Sequence, residues 1–200
     1  MTYRVRWTAM EKLGLRERKK AATRQAIHEA AVHLALELGP ERVTVDLVAD
    51  AAQVSRRTFS NYFANKEEAI FHADHTRLRR LVALVAARPA GESARAALAG
   101  AARELVAESP HSDPVWVAQR RLLRGHPSLA AHQVAAYAVF ERDLTSAVAT
   151  RLPDPDPLRS RVLAVTFLAA LRAAAHVWLD HPDRSFGELV EEALDCLSGG

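Results

Sequence analysis

Thr44 and Ser55 are good helix N-cap residues, and each precedes a short run with helical periodicity. After Thr44, valine and alanine recur at helical spacing up to Ala52, which predicts a first helix with one apolar face. Gln53 and Val54 make a tight corner before Ser55 begins a second helix. Two short helices that meet at such a corner are typical of the helix-turn-helix motif.

The second helix of this motif separates its apolar side chains from its charges. Phe59 and Phe63 stand four residues apart on one face, whereas Arg56 and Arg57 begin the opposite face. At a helix N-terminus the backbone dipole opposes each cation by roughly 0.3–1 kcal/mol, so an external anion is expected. In DNA-bound helix-turn-helix proteins this part of the helix meets base edges, and arginine is the preferred partner of guanine. The alternative is two solvated arginines, because the motif also occurs in proteins that bind no DNA.

Positive charge is concentrated in the N-terminal part of the chain. Residues 1–80 hold 15 Lys and Arg against 10 Asp and Glu, whereas residues 81–200 hold 12 against 14. Residues 1–24 alone carry eight basic and two acidic residues, a density suited to the phosphate backbone of DNA. Double-stranded DNA is therefore the expected partner.

The first residues are polar and mixed, and we expect residues 1–15 to form a flexible basic arm. Arg4 and Arg6 could then reach the minor groove of DNA, as basic arms of helix-turn-helix proteins do. A solubilising tail is the alternative, and Met10 is a second possible start that would shorten the arm.

Helical periodicity also fills the rest of the chain, in which alanine and leucine are frequent and aromatic residues make up 6%. The patterns and their Gly and Pro interruptions place the other helices at residues 16–38, 66–87, 92–108, 115–123, 128–152, 158–179 and 186–197. Together with the motif, they predict an all-α fold of about nine helices.

Lys66 is a further cation at a helix N-terminus, where Asn65 is the expected cap and Glu68 completes a capping box. A phosphate contact would explain Lys66, and the alternative is a solvated lysine balanced by Glu67.

The run from about Arg18 to Ile70, with TVDLVADAAQVSRRTFSNYFANKEEAI at its centre, closely resembles the DNA-binding domain of TetR-type transcriptional regulators. The resemblance implies a three-helix domain at residues 16–70, followed at residues 71–200 by a helical domain for ligand binding and dimerisation. It implies phosphate contacts from Thr44, Ser55, Tyr62 and Lys66. It also implies that four side chains lie in or near the major groove: Arg56, Arg57, Thr58 and Asn61.

Three positions depart from the pattern of that family. Gln53 stands where the turn often has glycine, and Leu47 stands where an acidic residue would complete a capping box. Ser60 replaces a residue that is commonly aromatic, so the resemblance implies that recognition depends more on Arg56, Arg57 and Tyr62.

The run from Val162 to Leu179 is nearly long enough to span a bilayer, but Arg172 and His176 would be costly there. A buried interface gives the same composition, so we expect no membrane insertion. In the resembled family the last two helices form a bundle with those of a second subunit. The expected homodimer uses helices 158–179 and 186–197 and binds a palindromic operator.

The arrangement VWVAQRRLLRGHPSLAAH, followed by a long helix with FERDL, resembles regulators of the mycofactocin system and other acyl-CoA-responsive members. This implies a small apolar or acyl-type effector, such as an acyl-CoA, with Arg120, Arg121 or Arg124 near its acidic group. The expected pocket residues are Trp116, Arg120, Leu123, Tyr137, Phe140, Phe167 and Leu171. The alternatives are that the aromatic residues are core and that the arginines pair with Glu141, Asp143 or solvent.

Residues with catalytic or metal-binding spacing are few. Cys196 is the single cysteine, which excludes an intrachain disulfide and suits a reducing cytoplasm. His72, Asp74 and His75 could seed a metal site, but we interpret them as packed or solvated. No GxSxG, HExxH, P-loop or GxGxxG sequence occurs. We expect no enzyme activity, no metal and no cofactor.

These features together predict a cytoplasmic, homodimeric, ligand-responsive repressor. One alternative is a helical small-molecule-binding protein or enzyme whose DNA-binding domain is vestigial. Another is a DNA-binding activator or architectural protein that has no ligand.

Overall fold

Helices account for the regular secondary structure in the part of the chain that the computed structural model describes, which is residues 14–108, 117, 120–121, 126–154 and 156–198. Nine helices lie within these residues: α1 (Leu15–Leu38), α2 (Val45–Ala51), α3 (Arg56–Ser60), α4 (Lys66–Ile70), α5 (His72–Ala87), α6 (Ala94–Ala107), α7 (Pro127–Ala149), α8 (Pro157–Asp180) and α9 (Phe186–Ser198). The all-α prediction is confirmed. The basic arm and most of the helix expected at residues 115–123 lie outside the described residues.

One expected helix is divided into two. The periodicity predicts a single helix from Lys66 to Ala87, but α4 ends at Ile70 and α5 begins at His72. Phe71 lies between them, and both Ile70 and Phe71 are almost fully buried. No glycine or proline lies at the break, so tertiary packing overrides a local helical preference there.

The described residues form two compact units, and the boundary between them in the sequence lies between Ala73 and Asp74. In the first unit, α1 packs against α2 and α4, and α2 packs against α3. Its core includes side chains that are almost inaccessible to solvent: Ile27, Ala31, Ala35, Val43, Val48, Phe59, Phe63 and Ile70. Ile27, Ala31 and Ala35 form the apolar face of α1, and their spacing follows the helical period.

In the second unit, α8 packs against α7 and α9, and α9 also packs against α6. Its core includes Leu84, Val85, Leu98, Ala101, Leu144, Val148, Phe167, Trp178 and Val190. Arg151 follows α7 and closes the C-terminal end of α5. Its guanidinium donates hydrogen bonds to the carbonyl oxygens of Val85, Arg88 and Pro89 at 2.8, 2.7 and 2.9 Å.

Among the described helices, α8 is the one that is long and apolar enough to cross a membrane by length and composition alone. The mean hydropathy of its most apolar window is 1.8, yet only 28% of that window is buried within the chain. Its exposed side chains include Leu158, Val162, Val165, Arg172, His176 and Val177. An apolar face of this size, interrupted by polar groups, is typical of a protein interface.

Candidate nucleic-acid interface

Both helices of the motif have the N-caps that the sequence predicts. Thr44 Oγ1 accepts a hydrogen bond from the amide of Leu47 at 3.2 Å, and Ser55 Oγ accepts one from the amide of Thr58 at 3.0 Å. The hydroxyl groups of Ser55 and Thr58 also lie 2.8 Å apart. These contacts fix the start of α3, while Thr44 and Ser55 remain exposed enough for the phosphate contacts that the resemblance implies.

The corner between the helices depends on one residue with a left-handed backbone. Gln53 has φ 55, and no other described residue besides glycine has a positive φ. The amide of Val54 donates to the carbonyl of Ala49 at 2.9 Å, which closes the turn. Glycine adopts this conformation without strain, which gives a physical reason for the glycine that the resembled family often has here. Gln53 adopts the same conformation at a cost in free energy.

Arg56 is exposed at the N-terminus of α3 and is paired with an acid on the preceding helix. Its Nη1 atom lies 2.7 and 3.0 Å from the two carboxylate oxygens of Asp46. Both side chains remain in solvent, with 69% of Arg56 and 61% of Asp46 exposed. Arg57 is also exposed, and no ion pair is seen for it within the described part of the chain. No local sequence pattern links Asp46 to Arg56, because ten residues and a turn separate them.

A shallow groove of about 710 Å³ joins the end of the motif to the start of α1. Its lining residues are Leu15, Arg16, Glu17, Lys19, Lys20, Thr23, Asn61 and Tyr62. Two residues implied by the resemblance, Asn61 and Tyr62, are thus brought beside three cations of α1. Such a groove offers the positive charge and hydrogen-bond donors that a phosphate backbone requires.

Arg24 supports this groove from the side of the core. Its guanidinium carbon lies 5.7 Å from the ring centre of Tyr62 and 5.9 Å from that of Phe63. Its Nε atom is buried without a hydrogen-bond partner among the described residues. These contacts orient Tyr62 through cation–π attraction.

Lys66 has partners that the sequence did not reveal. Its ammonium donates to the carbonyl oxygens of Pro40 at 2.8 Å and Val43 at 2.7 Å, and lies 3.5 Å from that of Glu41. Its distance to Glu67 is longer, at 3.9 Å. Lys66 therefore ties the α1–α2 loop to α4. The phosphate contact stays a prediction beside this structural role.

The residues expected to line an effector pocket lie in the second unit. Tyr137 is half-buried, Phe140 and Phe167 are buried, and Leu171 packs against the core. Trp116 and Leu123 lie outside the described residues, as does Arg124.

Arg120 has a buried partner in the same unit. Its guanidinium pairs with Asp74, and the side chains are 21% and 9% exposed. The alternative partner Glu141 instead pairs with Arg161 at 2.8 Å. Asp74 is the second unit's first residue, and its distance in sequence from Arg120 hid this contact.

The three side chains considered as a metal seed have separate surroundings. The ring of His72 packs against His28 and Phe63, with ring centres 5.6 and 5.3 Å apart, and Asp74 pairs with Arg120. No group of three His, Cys, Asp or Glu side chains that could hold a metal occurs among the described residues.

Two family sequence models match the chain. Residues 27–73 match bacterial regulatory proteins of the tetR family, and residues 92–200 match the MftR C-terminal domain. The HTH-type transcriptional regulator TcmR of Streptomyces glaucescens is 30% identical over 195 residues, with 92% of this chain and 86% of TcmR covered. A Mycobacterium tuberculosis protein named as mycofactocin biosynthesis transcriptional regulator MftR is 26% identical over 187 residues, with 92% and 93% covered.

A solved structure also has this arrangement of helices. The fatty acid degradation regulator FadR from Bacillus halodurans superposes with a TM-score of 0.58 and 18% identity. The alignment covers 89% of this chain and 95% of FadR. At this identity the likeness shows a shared fold.

Proposed function

This chain belongs to the TetR family of bacterial transcriptional regulators, and on that premise we propose that it is a cytoplasmic, homodimeric repressor released from a palindromic operator by a small molecule. The family matches confirm the resemblance drawn from the sequence. DNA binding and a ligand response are typical of this family. The operator contacts, the dimer and the effector are the proposed parts.

The basic groove beside α3 is the observation that carries the DNA-binding proposal. Arg16, Lys19 and Lys20 would contact phosphates on one side of α3. Arg56 and Arg57 extend from its exposed N-terminus, the part of a recognition helix that meets base edges. The remaining proposed contacts are those of Thr44, Ser55, Thr58, Asn61, Tyr62 and Lys66.

The exposed apolar face of α8 supports a homodimer. Leu158, Val162, Val165 and Val177 would be covered by the same face of a second copy, as a two-fold interface requires. The outward residues of α9 are mainly acidic, such as Glu188, Glu192 and Asp195. We therefore assign the larger share of the interface to α8, and α9 contributes its half-buried Ala193 and Leu197.

The second unit is the proposed effector-binding part, because residues 92–200 match a regulatory C-terminal domain. A ligand can release the operator only if it binds the DNA-free conformation more tightly than the DNA-bound one. The partly buried Tyr137 and Arg120, together with the apolar Phe140, Phe167 and Leu171, suit a small apolar or acyl-type molecule with one polar end.

Fluorescence anisotropy with DNA from upstream of the protein's own gene tests this proposal. The unmodified protein is expected to bind that DNA more tightly than a scrambled duplex. Arg57→Ala should lose about 1–3 kcal/mol of specific binding. Arg142→Ala is the matched control, because it removes an exposed arginine from α7 in the second unit. Equal binding to both duplexes by the unmodified protein, or equal losses in the two variants, would reject the proposal.

A further inference from the structure

Arg24 lies on α1 beside the aromatic residues that follow α3, and its charge is not balanced by an acid there. Its guanidinium carbon is 5.7 Å from the ring centre of Tyr62 and 5.9 Å from that of Phe63. Its Nε atom is buried without a hydrogen-bond partner, and Arg24 forms no salt bridge among the residues that the structure describes. A buried N–H group in this state costs free energy.

The packing of the first unit does not require a charged side chain at this position. Phe63 is 3% exposed, and an unbranched apolar side chain such as methionine could pack against its ring equally well. Methionine would also leave no N–H group unpaired. Features that cost stability in this way are expected at functional sites, so the charge of Arg24 calls for a role outside the core.

Tyr62 is the side chain through which Arg24 can act on DNA. It lies beyond the C-terminal end of α3 and lines the basic groove together with Lys19, Lys20 and Thr23. The hydroxyl of Thr23 already donates to the carbonyl oxygen of Lys19 at 3.0 Å. The Tyr62 hydroxyl has no hydrogen-bond partner within the described part of the chain, so it can donate to a phosphate oxygen.

We propose that Arg24 is a positioning residue for DNA binding, which holds the Tyr62 ring so that its hydroxyl donates to a phosphate beside Lys20. The cation over the ring fixes the orientation of Tyr62 and polarises its hydroxyl, which strengthens the hydrogen bond to an anion. Arg24 itself makes no ion pair with DNA. This assignment rests on the proposed function and adds a residue that holds one of its DNA contacts in place.

Fluorescence anisotropy with the full-length protein and DNA from upstream of its own gene tests this role. Arg24→Met should weaken binding roughly three- to tenfold, the range that one cation–π contact supplies. Arg18→Met is the matched control, because it removes an exposed arginine from the same helix without changing the lining of the groove. Equal losses in the two variants would reject a specific role for Arg24.

A double-mutant cycle shows whether Arg24 acts through Tyr62. In Tyr62→Phe, which lacks the hydroxyl, Arg24→Met should weaken binding by no more than about twofold. The salt slope of the binding constant should be the same in Arg24→Met as in the unmodified protein, since Tyr62 carries no charge and releases no counterion from DNA. A full loss in the Tyr62→Phe background, or a slope reduced by about one, would identify Arg24 as an independent phosphate contact and overturn the proposal.

Thermal unfolding without DNA separates positioning from a structural role. Arg24→Met should unfold at the same temperature as the unmodified protein or at a higher one, because it removes the unpaired Nε–H group. Arg24→Lys keeps a cation beside Tyr62 and should recover part of the DNA affinity that Arg24→Met loses. A clear fall in the unfolding temperature of Arg24→Met, or no recovery in Arg24→Lys, would overturn the proposal. An unmodified protein that binds the upstream DNA no better than a scrambled duplex would instead reject the proposed function.

Discussion

In the proposed complex, Asp46 would compete with DNA for Arg56, which α3 would present to a base. Its carboxylate holds Arg56 through two short contacts, and it lies in the first turn of α2, where the helix dipole favours an anion. Both contacts use Nη1, so Arg56 would have to release Asp46 before Nη1 and Nη2 together could donate to a guanine. Asp46 also carries negative charge beside a surface proposed for phosphates, so it should weaken binding to any sequence.

We therefore expect Asp46→Asn to bind operator and random DNA roughly three- to tenfold more tightly. Asp50→Asn removes the same charge from an exposed position on the same helix and provides the control. Anisotropy titrations at several salt concentrations measure both effects. If Asp50→Asn strengthens binding as much as Asp46→Asn does, then net charge rather than release of Arg56 is responsible.

Lys66 is the second residue whose role changes when its partners are known. Its ammonium is bound by backbone carbonyls of the α1–α2 loop, so Lys66→Ala would leave these partly buried oxygens without a donor. We expect a loss of about 1–3 kcal/mol in the free energy of unfolding of the first unit. Chemical denaturation followed by circular dichroism measures this loss.

Lys20→Ala is the comparison for Lys66→Ala, because Lys20 is exposed and lines the basic groove. It should leave stability unchanged and reduce the salt slope of DNA binding by about one. If Lys66→Ala leaves the free energy of unfolding unchanged but reduces the salt slope, then Lys66 contacts phosphate and does not stabilise the first unit.

At the scale of the elements, the sequence was sufficient to predict those features that depend on residues close together in the chain. Thr44, Ser55 and Asn65 cap their helices as predicted, since a cap bonds to an amide only three residues ahead. Gln53 also forms the turn at the expected place, although its side chain gives no hint of the positive φ. Local backbone hydrogen bonds, from the amide of Gln53 to Asp50 and from that of Val54 to Ala49, hold the chain in that conformation.

Contacts between distant residues were not predictable in the same way. The break at Phe71 depends on burial in the first unit, and the Asp74–Arg120 pair joins residues from separate helical segments. No periodic pattern specifies either feature. The same is true of Arg151, whose partners lie more than sixty residues earlier in the chain.

Arg151 should contribute strongly to the stability of the second unit. Its guanidinium donates to carbonyl oxygens at the C-terminal end of α5, where the helix dipole also favours a cation. Arg151→Met keeps the apolar stem but leaves these carbonyls without their donors. We expect a loss of about 2–4 kcal/mol in the free energy of unfolding.

The control is Arg142→Met, which changes an exposed arginine on α7. Denaturant titrations compare the two variants, and Arg142→Met should stay within about 0.5 kcal/mol of the unmodified protein. Equal stability of both variants would show that water replaces the guanidinium at the end of α5.

At the scale of the whole molecule, the two units expose surfaces of different chemical character. The first unit exposes cations along a groove, whereas the second exposes an apolar face on α8. The sequence predicted the apolar face of α8 and named a second copy and DNA as the expected partners. It did not predict the groove, which depends on the packing of Asn61 and Tyr62 beside α1.

The proposed dimerisation would link these two surfaces functionally. Val165→Glu places a charge on the exposed apolar face of α8, and burying that charge in a two-fold interface would occur twice. We expect this variant to be monomeric in size-exclusion chromatography with light scattering. Val134→Glu is the control, since Val134 is an exposed valine on α7, and it should leave the dimer intact.

The same pair of variants tests how the operator is recognised. Two recognition helices in one dimer bind half-sites about 34–36 Å apart, so linking them raises the affinity for a full operator. A monomer loses this advantage, which amounts to roughly 10²–10⁴-fold for tethered binding units. Val165→Glu should therefore bind a full operator little better than a single half-site, whereas Val134→Glu should keep the difference. A dimeric Val165→Glu with full operator affinity would move the interface away from α8.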